Sequence, residues 1–225
     1  MGRGRTGGGM KRTRLGVLIS GSGSNLQALI DSCAAPDYPA KIQLVLSNKA
    51  DAFGLQRAAG AGIDGAVLSH KGFGDRESFE RALTRQLESA NIELVVLAGF
   101  MRILTPYFVE RWRDRLINIH PSLLPSFKGT DTHAQALKAG VKLHGCSVHY
   151  VRPGLDDGPI IGQAAVPVLP TDDPKSLAAR VLIAEHKLYP ACVRAICEGR
   201  VKLVDEICHI WGADGSFAPL INSAL

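Results

Sequence analysis

The sequence lacks the features that mark several broad classes of protein. No stretch of about 18 residues is free of charged and turn-forming residues, so we expect no membrane-spanning helix and no membrane partner. No period repeats along the chain, which excludes solenoid and fibrous architectures. The N-terminus has no apolar core of a secretory signal. The five cysteines contain no Cys-x-x-Cys pair, so they predict neither a disulfide framework nor a metal site. We therefore expect reduced thiols in a cytoplasmic protein.

Acidic residues are absent from the first 14 positions, and this absence accounts for the net charge. The chain has 26 basic and 21 acidic residues, a formal charge of +5. The excess is carried by Arg3, Arg5, Lys11, Arg12 and Arg14. Because the rest of the chain is neutral, we expect no nucleic-acid partner. The pattern predicts a disordered Gly/Arg-rich leader over residues 1–13 and one folded domain over residues 14–225.

Short apolar runs alternate with stretches of helical spacing through the first half of the chain. The runs predict strands at Leu15–Ser20, Ile42–Ser47, Gly65–Leu68, Ile92–Ala98 and Leu116–His120. Residues 144–151 and 160–169 then alternate as half-exposed antiparallel strands do, and Asp173–Glu198 predicts one long helix. The sequence therefore predicts a single α/β domain. Its Rossmann-like sheet is mostly parallel and flanked by helices, with an antiparallel part in the C-terminal half.

A glycine-rich loop, Ser20–Asn25, joins the first predicted strand to the first helix. Glycines permit close backbone approach, and a helix N-terminus offers N–H groups to an anion. The loop matches neither the dinucleotide-binding pattern nor a P-loop. It predicts either a phosphate site or a turn that carries no ligand.

Polar side chains capable of acid–base chemistry follow the fifth predicted strand. Asn118 and His120 are two residues apart, so both point to the same face of the sheet. An amide donor beside an imidazole suits a carbonyl that becomes an oxyanion. Asp156 lies in a sequence typical of a turn, but it could also orient His120 and raise its pKa. Spacing does not decide between these two roles.

Five motifs in order resemble the phosphoribosylglycinamide formyltransferases, a family of folate-dependent formyltransferases. The resemblance covers residues 15–199 and is carried by VLISGSGSNLQALI, AGFMRIL, NIHPSLLPSFKG, LDDGPII and AEHKLYP. It implies transfer of a formyl group from 10-formyltetrahydrofolate, as co-substrate, to the amine of glycinamide ribonucleotide in purine biosynthesis. It implies no metal, and either a monomer or a homodimer.

The resemblance also implies roles for individual residues. Asn118, His120 and Asp156 match the catalytic group. The substrate phosphate and ribose would be bound by Gly23, Ser24, Asn25 and Glu185, and the folate by Arg76, Met101, Arg102, Ile103, Leu104 and Asn118. Leu182 stands where members of the family often have a polar or basic residue, so a substrate contact from that position is not expected.

Three rival functions remain open at this level. Formyltetrahydrofolate hydrolases carry an additional N-terminal domain, and methionyl-tRNA formyltransferases carry a C-terminal RNA-binding domain. We expect neither domain in this sequence. A non-catalytic nucleotide-binding protein would keep the glycine-rich loop without needing Asn118, His120 and Asp156 together.

Overall fold

The computed structural model describes residues 11–212. The positions predicted as leader up to residue 10, and residues 213–225, lie outside the described part of the chain. The strands are β1 Thr13–Ile19, β2 Ala40–Ser47, β3 Gly65–Val67, β4 Leu94–Leu97, β5 Leu116–His120, β6 Leu143–Tyr150, β7 Ile160–Pro167, β8 Val201–Val204 and β9 Ile207–Ile210. The helices are α1 Ser24–Cys33, α2 Gly54–Gly60, α3 Arg76–Ser89, α4 Pro106–Arg111, α5 Thr132–Ala139 and α6 Pro174–Cys197, with a 3₁₀ turn at His70–Gly72.

Within the described residues, seven strands form one sheet in the order β3-β2-β1-β4-β5-β6-β7. The pairs from β3 to β5 are parallel, whereas β6 pairs antiparallel with both β5 and β7. This arrangement confirms the predicted fold class. Strand order reverses between β1 and β4, and in such sheets ligands bind in the crevice beyond the carboxyl ends of the strands at that point.

The sheet is buried on both faces, which explains its continuous apolar strands. Successive residues of β1 point to opposite sides: Val17 packs in the hydrophobic cluster that includes α1 and α6, and Leu18 in the cluster that includes α3 and α4. None of the helices among residues 11–212 is long and apolar enough to cross a bilayer.

Two elements of the structure were not predicted from the sequence, and several element boundaries differ from the predicted ones by one or two residues. The two elements are helix α5 and the β8–β9 hairpin, which forms a separate two-stranded sheet. Strand β1 begins at Thr13, and Arg12 Nε donates a hydrogen bond to the Ala40 carbonyl at 2.9 Å. Regular structure therefore begins inside the segment predicted as leader. The long C-terminal helix is confirmed as α6, whose Asp173 cap accepts a hydrogen bond from Ser176 N at 2.7 Å.

Candidate active site

The glycine-rich loop ends β1 and opens α1 at the point where strand order reverses. Gly23 adopts a left-handed conformation with φ 69° and caps α1. A Cβ added to Gly23 would lie 2.7 Å from the Gly54 Cα. Glycine is therefore required here for two reasons, the positive φ and the close packing against α2. Ser24 and Asn25 are the first two residues of α1, and no side chain caps this helix among the described residues. The N-terminal amides of α1 are therefore suited to an anionic group.

Helix α6 supplies a buried carboxylate to this loop. Asn25 Nδ2 donates a hydrogen bond to Glu185 Oε2 at 2.7 Å, and Glu185 is 6% exposed. Burial raises the pKa of Glu185, although the Asn25 hydrogen bond and the charge of His120 both oppose that shift. Glu185 thus links the loop to the carboxyl end of β5 electrostatically. Its contact with Asn25 could not be inferred from sequence spacing.

His120 and Asp156 form a buried pair at the carboxyl end of β5. His120 Nδ1 lies 3.3 Å from Asp156 Oδ1, and the exposed fractions of the two side chains are 6% and 14%. The other carboxylate oxygen of Asp156 accepts a hydrogen bond from Gly129 N at 2.7 Å. His120 Nε2 lies 3.0 Å from the Phe127 carbonyl oxygen. Asp156 is therefore placed to orient the imidazole. Of the two roles that the sequence left open for Asp156, this contact favours the functional one over a plain turn.

Both groups of this pair are shifted toward their charged forms. Burial by itself would lower the pKa of His120, but the Asp156 carboxylate and the Phe127 carbonyl outweigh it and raise the pKa. Burial would likewise raise the pKa of Asp156, but hydrogen bonds from His120 and Gly129 hold it below its usual value. Since a carboxylate and a carbonyl are both acceptors, only the doubly protonated ring can donate to both of them.

Asn118 lies on β5 directly opposite His149 of β6. The Asn118 Nδ2 atom is 3.4 Å from His149 Nε2, and His149 Nδ1 is 2.8 Å from the carbonyl oxygen of Tyr150. The sequence analysis did not single out His149. The alternating pattern of β6 indicated a strand, but the partner of each residue depends on the antiparallel register.

The segment predicted to bind folate follows β4, next to the glycine-rich loop. Met101 N donates a hydrogen bond to Ser20 Oγ at 2.9 Å, and Ser20 Oγ donates to Asn48 Oδ1 at 2.6 Å. Ser20 therefore joins the two loops at the reversal of strand order. Met101 and Ile103 expose 76% and 65% of their surface. Large apolar side chains so exposed beside polar residues are typical of a binding surface.

Helix α3 positions the same segment from the other side. Glu80 accepts hydrogen bonds from the Thr105 hydroxyl and, at 2.9 Å, from Thr105 N. The Arg102 guanidinium lies 5.2 Å from the centre of the Phe79 ring, and Leu104 is buried. Arg76 is the first residue of α3 and is exposed, about one helical turn before Glu80. Apart from Asn118 on β5, the predicted folate residues thus lie on α3 and on the segment that α3 holds.

An α/β sheet with a buried His–Asp pair, an amide donor and a glycine-rich loop has groups that are suited to transfer or hydrolysis reactions of small molecules. The formyl transferase family model matches residues 13–193, so the chain belongs to that family. This assignment agrees with the family resemblance in the motifs.

Proteins similar to this chain include two groups. The phosphoribosylglycinamide formyltransferase of Escherichia coli is 49% identical over 196 residues, which cover 87% of this chain and 92% of that protein. The trifunctional purine biosynthetic protein adenosine-3 of Homo sapiens is 49% identical over 89% of this chain, and that of Drosophila pseudoobscura is 53% identical over 87%. The chain spans only 20% and 14% of the length of these two proteins.

A solved structure gives the same family assignment. The glycinamide ribonucleotide transformylase 1 of Symbiobacterium toebii superposes with a TM-score of 0.87 at 44% identity, covering 88% of this chain and 94% of that one.

Proposed function

We propose that this chain is a phosphoribosylglycinamide formyltransferase, which transfers the formyl group of 10-formyltetrahydrofolate to the amine of glycinamide ribonucleotide. The observation that carries the proposal is the buried His120–Asp156 pair beside Asn118, at the carboxyl end of β5, the strand next to β4. The similarity to the E. coli enzyme over nearly its whole length supports the same reaction.

The two substrates would bind on the two sides of the β1–β4 crevice. The phosphate of glycinamide ribonucleotide suits Gly23, Ser24 and Asn25, because the N-terminus of α1 favours negative charge. Glu185 would accept hydrogen bonds from the ribose and the glycinamide portion. Folate suits the exposed apolar side chains of the segment after β4.

The guanidinium groups of Arg76 and Arg102 suit the carboxylates of the folate glutamate, since Arg pairs well with planar anions.

The reaction needs positioned donors and a proton carrier. The amine nitrogen attacks the formyl carbon, and the C=O electrons move to the oxygen, which Asn118 and protonated His120 stabilise. For this step a His120 N–H must share or leave its contact with the Phe127 carbonyl. As the oxyanion collapses, the bond to N10 of the folate breaks. The proton lost by the amine passes to N10 with the help of Asp156 and water.

No cysteine is suited to act as a nucleophile in this site. Burial raises the pKa of Cys33, Cys197 and Cys208 to about 11, and that of Cys146 and Cys192 to about 12. Thiols with such values are almost fully protonated at neutral pH. This agrees with direct attack by the substrate amine, without a covalent enzyme intermediate.

A hydrolase of 10-formyltetrahydrofolate is the main alternative, because water in place of the amine uses the same oxyanion donors. The decisive assay measures loss of the formyl group by the purified protein with and without glycinamide ribonucleotide. We expect loss only with the amine, together with formylated product. Equal rates without the amine would support the hydrolase instead. A cytoplasmic location, and a monomeric or homodimeric state, remain part of the proposal.

A further inference from the structure

The tautomer of His149 is determined by its own backbone. His149 is 2% exposed on β6, and its Nδ1 atom lies 2.8 Å from the Tyr150 carbonyl oxygen. A carbonyl oxygen only accepts hydrogen bonds, so Nδ1 must carry a proton. Burial lowers the pKa of His149, although the Tyr150 carbonyl and the Asp156 and Asp157 carboxylates oppose the shift and His120 reinforces it. The ring is therefore neutral at pH 7, and Nε2 carries a lone pair.

This lone pair fixes the orientation of the Asn118 amide. His149 Nε2 can only accept, and the amide atom 3.4 Å from it is Nδ2. A side-chain amide is nearly symmetric in shape, so its orientation depends on neighbours that distinguish its NH₂ from its oxygen. A flipped amide would place the Asn118 oxygen against the Nε2 lone pair and lose the contact. The remaining N–H of Asn118 is then available to a ligand.

The strand register makes the contact rigid. Asn118 and His149 are directly opposed in the antiparallel β5–β6 ladder, which holds His120 opposite Ser147 two residues further along. Both strands lie in the interior of the seven-stranded sheet. The ladder therefore holds His149 against Asn118. His120 lies two residues further along β5, on the same face as Asn118.

We propose that His149 is a positioning residue, which holds the Asn118 amide so that its second N–H can donate a hydrogen bond to the formyl oxygen. The proposal rests on the function proposed above and deepens it. His149 itself transfers no proton and does not contact the reacting atoms. Its contribution is to remove the alternative amide orientation, which would present a carbonyl oxygen to the developing oxyanion.

The first test measures the tautomer directly and does not depend on activity. In the ¹⁵N spectrum of the wild-type protein labelled at histidine, we expect a protonated Nδ1 and an unprotonated Nε2 for His149 at pH 7.5. The opposite tautomer, or a doubly protonated ring, would overturn the proposal whatever the enzyme's reaction proves to be.

The second test separates positioning from a purely structural role. His149→Phe, which cannot accept a hydrogen bond, should lower kcat by about 10- to 100-fold with KM for both substrates nearly unchanged. His149→Gln places an amide oxygen near the position of Nε2 and should recover most of kcat. In an Asn118→Ala background, His149→Phe should cost less than about 3-fold, because the group that it positions is absent.

Each result of the second test distinguishes the two roles. An unchanged kcat in a folded His149→Phe variant, or equal losses with and without Asn118, would refute positioning through Asn118. If His149→Phe does not fold, His149→Leu, which also cannot accept a hydrogen bond, replaces it in the two Asn118 backgrounds. If the wild-type protein shows no amine-dependent formyl transfer, the proposed function is refuted. The tautomer result would still hold, because it does not depend on activity.

Discussion

Two buried histidines on neighbouring strands, His120 of β5 and His144 of β6, have pKa values that are shifted in opposite directions. His120 lies 3.3 Å from a carboxylate, and its pKa is raised. His144 is fully buried, with its Nε2 atom 3.2 Å from Nδ1 of another histidine, His133. Burial and the nearby histidines lower the pKa of His144 to about 4. The charged form of the same residue type is therefore favoured at one position and disfavoured at the other.

The contrast shows that a neighbouring carboxylate, and not the extent of burial, decides the direction of the pKa shift. The consequences for stability have opposite signs. Because the folded pKa of His120 is raised, its contribution is fully present below pH 6.5 and is lost as the pH rises through the folded value. For His144 the unfolded chain binds more protons between about pH 4 and 6.5, so stability is lost as the pH falls through that window.

The largest expected effect comes from removing the charge of Asp156, which distinguishes the surroundings of His120 from those of His144. Asp156→Asn keeps the size and polarity of the side chain, and we expect kcat to fall by about 100- to 1000-fold, with modest changes in KM. The basic limb of the pH–rate profile should also move to lower pH, since His120 loses the carboxylate that keeps it protonated. Steady-state kinetics from pH 5.5 to 9 measure both quantities.

His120→Ala provides the reference for this variant. It should abolish the basic limb, and adding Asp156→Asn to it should cost little more, because the two residues act as a unit. If the two losses multiply instead, Asp156 does not act through His120.

The next largest effect is on stability, and it tests His144, the other histidine of the comparison. His144→Gln removes the group that must be kept neutral on folding. We expect wild type to lose about 1 to 2 kcal/mol between pH 7.5 and pH 5 through His144, a Tm decrease of about 2 to 8 °C that His144→Gln should not show. Thermal unfolding at the two pH values measures this difference. His209→Gln, at an exposed position of β9, is the matched control and should keep the wild-type pH dependence.

A smaller effect on His120 is expected from the more distant carboxylate. Glu185 also favours the charged form of His120, but without direct contact. Glu185→Gln should therefore move the basic limb in the same direction as Asp156→Asn and by less. Since Glu185 accepts the Asn25 hydrogen bond beside the predicted substrate site, KM for glycinamide ribonucleotide should rise by about 10-fold. A limb shift larger than that of Asp156→Asn would reverse the assigned order of the two carboxylates.

The structure also changes how the glycine-rich loop should be tested. Gly23→Val is the substitution that the loop itself suggests, because a side chain there would block the approach of a phosphate to the backbone amides. Because an added Cβ would meet the Gly54 Cα at 2.7 Å, this substitution would also displace α2. Asn25→Ala is the cleaner probe, and in it we expect a higher KM for glycinamide ribonucleotide with little change for the folate.

Most of the sheet could be predicted from the sequence because its strands are buried on both faces and give unbroken apolar runs. Helix α5 was missed because it has only eight residues and one large apolar side chain, Leu137. The hairpin was missed because its turn, Asp205–Glu206, has positive φ at both residues without the Asn-Gly or Asp-Gly sequence that usually indicates such a turn. The Arg152 Nε atom lies 2.6 Å from Glu206 Oε2 at this turn. This tertiary contact joins residues far apart in the sequence, so no local pattern predicts it.

The residues of the candidate site also fall into those that the sequence could predict and those that it could not. Asn118 and His120 could be placed on one face from their spacing, and the loop at Gly23 from its position between a strand and a helix. The partners Asp156, Glu185 and His149 come from a loop, a distant helix and an antiparallel strand. Their contacts depend on how β6 pairs with β5 and how α6 packs against α1, which periodicity does not encode.

The smallest expected effect comes from the carboxylate next in sequence to Asp156. The Asp157 side chain is 63% exposed, and its Oδ1 atom lies 3.0 Å from Lys128 Nζ. An exposed ion pair of this kind contributes about 0 to 1 kcal/mol, so Asp157→Asn should leave the Tm almost unchanged. Asp157 does not contact His120, and we expect kcat within about 2-fold of wild type, with the basic limb in place. A loss of kcat comparable with that of Asp156→Asn would mean that both carboxylates of this turn are required, whether or not they contact His120. In that case the 3.3 Å contact would not be what distinguishes His120 from His144.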